Sequence, residues 1–114
     1  EYTEGYVFEP GTGKWNKMTG SFPVMAGTAI PYGEDKILIL GGVEEILPTS
    51  PKHPGFSRKL RVVSTDMNAL VALFDCSYPI PVTTNAVSIG NQVFVVSGEI
   101  QPGIRTPLIL KGTF

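Results

Sequence analysis

The sequence predicts an all-β protein built on a repeated unit, and three observations carry that expectation. Its apolar residues come in short, β-branched-rich runs, as in Lys36-Ile37-Leu38-Ile39-Leu40 and Val93-Phe94-Val95-Val96, which suit buried strands. The 13 glycines and 10 prolines fall between these runs and punctuate them. The third observation is self-similarity. With Gly42 placed over Gly98, 56 positions later, Ala29-Ile30 falls near Ala86-Val87. The two apolar runs then lie nearly in register, with a one-residue difference in the turn before them. A unit of roughly 50 residues carrying an insertion is typical of repeat architectures.

Each element follows from the same signals. Tyr6-Val7-Phe8 and Lys14-Trp15-Asn16-Lys17-Met18 read as two strands joined through Glu9-Pro10-Gly11-Thr12-Gly13, a turn with two glycines available for positive φ. Ser21-Phe22-Pro23-Val24 reads as a connector, because Pro23 interrupts a ladder. Ala26 to Pro31 is a small-residue strand, Tyr32-Gly33-Glu34-Asp35 a tight turn, and Lys36 to Leu40 a strand that stops at Gly41-Gly42. Residues 43–59 hold three prolines, His53 and Gly55, and read as an insertion between strands. Arg61-Val62-Val63 forms a short strand. Ala69 to Asp75 fits helix or strand; strand is favoured, because Tyr78-Pro79-Ile80-Pro81-Val82 repeats the earlier connector pattern. Thr83 to Ile89 is then a strand, Gly90-Asn91-Gln92 a turn, and Val93 to Val96 the second apolar strand, ending in Ser97-Gly98.

Bulk properties exclude several function classes. A formal net charge of −1 over 114 residues gives no single-sign field for a nucleic acid, and no basic and aromatic stripe is present. The charged fraction of 17% lies below the usual quarter and argues for packed sheets rather than disorder. No apolar run approaches the roughly 20 residues of a membrane span. No basic-then-apolar leader is present, and with Glu1 first any signal peptide would lie upstream or have been removed. Cys76 is the only cysteine, which excludes an internal disulfide and makes it a small buried apolar residue. One histidine and one cysteine far apart give no metal-ligand cluster, and there is no phosphate loop or nucleophile elbow.

The stretch Ser97 to Thr106, SGEIQPGIRT, carries the chemistry. A carboxylate at Glu99 and a guanidinium at Arg105 flank a Pro102-Gly103 turn at the end of a stiff strand. Its counterpart, Gly41 to Glu45, lacks both the Pro-Gly turn and the arginine, so this is where the repeat breaks. Read from the residues alone, Glu99 and Arg105 simply pair with each other, a solvated contact worth about 0–1 kcal/mol. Three other positions are candidates. Glu44, with Glu45, follows Gly41-Gly42 as Glu99 follows Ser97-Gly98; Asn85 opens the strand before the motif; His53 sits in the insertion.

The hairpin with Trp15, followed by strand, turn, apolar strand and Gly41-Gly42, resembles the kelch motif, the four-stranded blade of β-propellers. Ser97-Gly98 is the second copy of the glycine pair, whereas Phe74-Asp75 leads into Cys76-Ser77-Tyr78 with no turn and no tryptophan. SGEIQPGIRT at the end of such a strand resembles the sialic acid mutarotases, and the chain ending soon after it is similar to their cyclically permuted branch. The resemblance implies a six-bladed ring, of which this chain supplies about two blades and a leading hairpin. Residues 1–25 are then the hairpin of the preceding blade, 26–82 a blade with the insertion, and 83–114 the blade carrying the motif. The remaining blades are expected on the same gene product or a companion chain, because a blade is stable only against its neighbours.

The resemblance further implies an isomerase that interconverts the anomers of N-acetylneuraminate, without a cofactor, in the periplasm or outside the cell. Glu99 would transfer protons if buried. Arg105 would hold the carboxylate of the sugar acid bidentately. A different class competes: a non-catalytic kelch module presenting loops to a protein or carbohydrate partner, since propellers host many functions. A copper-radical oxidase of kelch type needs histidine ligands that one His does not supply.

Overall fold

The structure is a computed structural model that describes residues 3–45 and 55–114, with no helix among them. Nine strands follow in order: β1 (Tyr6–Glu9), β2 (Lys14–Lys17), β3 (Thr28–Tyr32), β4 (Lys36–Leu40), β5 (Lys59–Ser64), β6 (Ala69–Asp75), β7 (Ala86–Ile89), β8 (Gln92–Gln101) and β9 (Ile104–Thr113). They make three antiparallel sheets taken in chain order, β1-β2, β3-β4-β5-β6 and β7-β8-β9.

Alternation along the strands decides which face is buried. In β4, Leu38 and Leu40 are 1% and 2% exposed, while Ile37 and Ile39 on the opposite face are half-buried. The register sets Ile30 and Val62 on either side of Leu38, and Leu60 beside Leu40, so one face carries a continuous aliphatic row. Ile80 from the connector and Val93 and Val95 of β8 close over that row. Burying each such side chain contributes about 1.5–3 kcal/mol, and this shared core joins the second and third sheets.

The repeat is visible in the backbone. Met25 and Val43 exchange two hydrogen bonds of 2.8 and 2.7 Å, and Val82 and Glu99 exchange two of 2.9 and 3.0 Å. The next residue in each copy is left-handed, Ala26 at φ 55° and Thr83 at φ 53°. Gly41 and Ser97 both have φ 59°, followed by Gly42 at 100° and Gly98 at 111°. The last position demands glycine for a second reason: a Cβ on Gly98 would lie 2.7 Å from Pro81 Cβ and from the Val82 carbonyl. The two copies also touch, since the Thr28 hydroxyl donates to the Thr84 carbonyl at 3.4 Å where β3 runs beside β7.

Three expectations are corrected. The first strand of each copy begins later than its composition suggested, at Thr28 and Ala86, because the left-handed residues Ala26 and Thr83 break the extended backbone. The second hairpin does have a turn. It lies at Thr65-Asp66-Met67-Asn68, between β5 and β6, and not after Asp75. Asn68, at φ 47°, occupies the place that Gly13, at φ 69°, holds in the first hairpin, and Leu70 takes the place of Trp15. Finally, the second apolar strand does not end at Ser97-Gly98: β8 continues through the motif to Gln101 and turns at Pro102-Gly103 into β9.

Candidate functional site

The motif is the tip of the β8–β9 hairpin. Glu99 and Arg105 face each other in its register, with bulges at Val96/Gly98 and Glu99/Gln101 on either side of Glu99. Bulges re-aim side chains, and here they bracket the carboxylate. Glu99 is half-buried and Arg105 exposed. The amide of Gly103 donates to Glu99 Oε1 at 2.6 Å, so the Pro-Gly turn grips the acid. Arg105 Nη1 donates instead to Thr83 Oγ1, at 3.4 Å. Among the described residues the two charges form no ion pair with each other. A carboxylate has two acceptor oxygens and a guanidinium five donors, so both keep capacity for a ligand.

Two segments hold the tip in place. The backbone of Glu99 is doubly bonded to Val82, and the next carbonyl, Ile100, accepts from the amide of Phe56 at 2.9 Å. Residues 55–57 thus bring the far end of the insertion against the motif. The insertion's His53 lies outside the described residues.

Glu44 has a different place from the one its position after the glycine pair suggested. The bridge pattern makes Val43, not Glu44, the counterpart of Glu99. Glu44 Oε1 accepts from Ser57 Oγ at 2.7 Å and from Arg61 Nη2 at 3.0 Å. Burial pushes its carboxyl up. Hydrogen bonds from Ser57 and Arg61, with the charges of Arg61 and Lys59, outweigh that and hold it below the ordinary glutamate value. Arg61 is 5% exposed, and its Nη1 is buried with no hydrogen-bond partner among the described residues. Sequence reasoning treated Arg61 only as part of a strand. The signal was a lone charge inside the apolar run Leu60-Arg61-Val62-Val63, where a buried arginine needs an acid from elsewhere.

Asn85 is exposed immediately before β7, outside the strand it was expected to open. Cys76 is half-buried; burial pushes its thiol up, and the charge of Asp75 adds to that. A cavity of about 170 Å³ lies between the second and third sheets, lined by Leu40, Leu60, Ile80, Val93, Val95 and Leu110 among others. Neither Glu99 nor Arg105 reaches it. It is a gap in the inter-sheet packing. Among the described residues no three His, Cys, Asp or Glu side chains are grouped to hold a metal ion, and no helix is long and apolar enough to cross a membrane.

Sequence comparison finds no matching family model and no matching curated protein. Structural comparison does find a relative in shape. The structure of YjhT is similar over 99% of this chain, with a TM-score of 0.75 and 17% sequence identity. YjhT is a β-propeller, and the three consecutive antiparallel sheets are part of that fold. The chain spans 41% of YjhT's length.

Proposed function

We propose that this chain supplies the catalytic hairpin of a sialic acid mutarotase, a kelch-type propeller that interconverts the α and β anomers of N-acetylneuraminate. The observation that carries the reading is the tip of the β8–β9 hairpin. A carboxylate and a guanidinium face each other in register there without pairing, and the repeat's other copy has Val43 in the place of Glu99. The likeness in fold to YjhT, a sialic acid mutarotase, supports it.

The chemistry asks for what this pair offers. Ring opening removes the proton from the anomeric hydroxyl, breaks the bond between the anomeric carbon and the ring oxygen, and returns a proton to that oxygen. The product is the open keto acid. Reclosure on the other face of the carbonyl gives the second anomer, with no net change in protons or electrons. Glu99 takes and returns the proton. Arg105 binds the carboxylate on the anomeric carbon through its planar fork, which keeps that carbon beside Glu99. Gly103 and its turn fix the direction of the acid. Neither step calls on a cofactor. On this reading the protein works in the periplasm or outside the cell, where the resembling family acts, and the missing blades close the ring.

Exchange spectroscopy by NMR on N-acetylneuraminate tests it with the full-length protein and its Glu99→Gln variant. The wild type should accelerate anomer exchange above the buffer rate, and Glu99→Gln should lose 10²- to 10⁴-fold of that acceleration. Wild-type exchange no faster than buffer, with the sugar still bound, would instead make the chain a non-catalytic carbohydrate-binding propeller.

A further inference from the structure

Thr83, in the connector before β7 and beside the hairpin, is a residue that local conformational preference does not explain. It sits at φ 53°, in the left-handed region. A β-branched side chain is a genuine outlier there, because its second branch crowds the backbone. The position itself needs that conformation, since the other copy places Ala26 at φ 55° after the same double bridge. Alanine therefore suffices for the fold at this point, and threonine makes it more strained. An outlier of this kind persists only where surrounding structure over-determines it, and such outliers gather at functional sites.

The surroundings say what the hydroxyl does. Thr83 follows Val82, whose amide and carbonyl both bond to Glu99, so it is tied directly to the acid's own backbone. Its Oγ1 is the acceptor for Arg105 Nη1 at 3.4 Å. The chain between Val82 and Thr83 thus spans the two members of the charged pair, through the backbone at Glu99 and through the side chain at Arg105. Thr84, the next residue, donates through its hydroxyl to the Val96 carbonyl at 2.6 Å, which pins the same segment to β8. In the other copy the equivalent residue is Ala26, whose side chain is a methyl group with no hydroxyl to accept a hydrogen bond.

We infer that Thr83 is a positioning residue of the site: its hydroxyl orients the Arg105 guanidinium, beside Glu99, to receive the carboxylate of a sugar acid. The fold sets the left-handed backbone in both copies, and threonine is kept on it here because its Oγ1 reaches Arg105. The inference rests on the function proposed above for the ligand's identity, but the orientation of Arg105 by Thr83 is testable without any ligand.

Two variants of the full-length protein test it. Thr83→Ala reproduces the residue of the other copy and removes branch and hydroxyl together; Thr83→Ser removes the branch alone. The melting temperature of Thr83→Ala should equal or exceed that of the wild type. Its Kd for N-acetylneuraminate should nevertheless rise about 5- to 10-fold, as for the loss of an ordinary exposed hydrogen bond, and Thr83→Ser should restore wild-type affinity. In the free protein, NMR of the Arg105 side chain should show guanidinium rotation slowed in the wild type and Thr83→Ser relative to Thr83→Ala. Equal rotation rates in all three would overturn the inference whether or not the sugar binds. So would an affinity in Thr83→Ala equal to the wild type, or one in Thr83→Ser as weak as in Thr83→Ala. A wild-type protein that shows the difference in rotation but binds no N-acetylneuraminate would sink only the proposed substrate.

Discussion

Glu99 and Arg105 are opposite each other in one hairpin, yet the acid is held by the amide of Gly103 and the arginine by the hydroxyl of Thr83. Each charge is oriented by a neutral neighbour. Two opposite charges within reach of each other normally satisfy one another; here the hairpin bulges and the Pro-Gly turn give them separate anchors, and both stay open to a third party.

That arrangement makes Arg105 separable from folding. Arg105→Ala should weaken N-acetylneuraminate binding about 10- to 100-fold, the loss of a charged, bidentate contact. Because the side chain is exposed, the melting temperature should move by no more than a degree or two. Titration calorimetry and thermal denaturation of the same variant check both. An unchanged Kd would remove Arg105 from the site.

Gly98 stands one residue before Glu99, and its substitution should act on folding. Gly98→Ala adds a Cβ 2.7 Å from both Pro81 and Val82, at a φ of 111°. Left-handed strain and overpacking together should cost about 2–4 kcal/mol, read as a shift of the denaturation midpoint. Gly11, with open space around it, is the matched control, and Gly11→Ala should change the midpoint little.

The Glu44–Arg61 pair should show its buried character on truncation. Glu44→Ala leaves the guanidinium and the Ser57 hydroxyl without their acceptor and should cost about 1–3 kcal/mol, a discounted value because Glu44 is partly exposed. Arg61→Met combined with Glu44→Leu removes both charges and should recover most of that loss in chemical denaturation.

The same pair sets a pH dependence. The folded-state carboxyl of Glu44 titrates below its unfolded value, so the unfolded chain binds the proton first as pH falls. The stability it contributes is full above the ordinary glutamate pKa of about 4.3 and is lost as pH drops through the lower folded value. Glu44→Gln should flatten the acid limb of the stability curve in that window. An identical acid limb would mean the pair does not couple to folding.

Cys76 should react slowly. Its half-buried thiol is shifted up, first by burial and then by Asp75, so little thiolate forms at neutral pH. Iodoacetamide labelling at pH 7.5 should run well below the rate of a free cysteine, and should accelerate in Asp75→Asn.

How much of this was legible in the sequence depended on whether the signal was local. The β4 and β8 runs declared themselves, because four or five consecutive apolar residues between glycines have few other fates. The repeat was legible through Gly42 and Gly98, where backbone geometry admits one residue type. The β5–β6 turn was not, because Thr65-Asp66-Met67-Asn68 contains neither glycine nor proline and relies on Asn68 to adopt positive φ. Within the site, Glu99 and Arg105 stood out as charges beside a turn. Thr83 and Arg61 did not, because a threonine before a strand and an arginine within one are unremarkable until the chain is folded. Their significance comes from partners 22 and 17 positions away.

The matched left-handed pairs, Ala26 with Thr83 and Gly41 with Ser97, have a practical consequence for engineering. The Met25–Val43 corner matches the Val82–Glu99 corner in its bridge and flanking backbone and serves as a reference for the proposed site. Side chains from the second corner can be transplanted one at a time onto the first, with glutamate at Val43 and threonine at Ala26. Such grafts would measure how few groups must be added to a plain propeller corner before it begins to recognise a sugar acid.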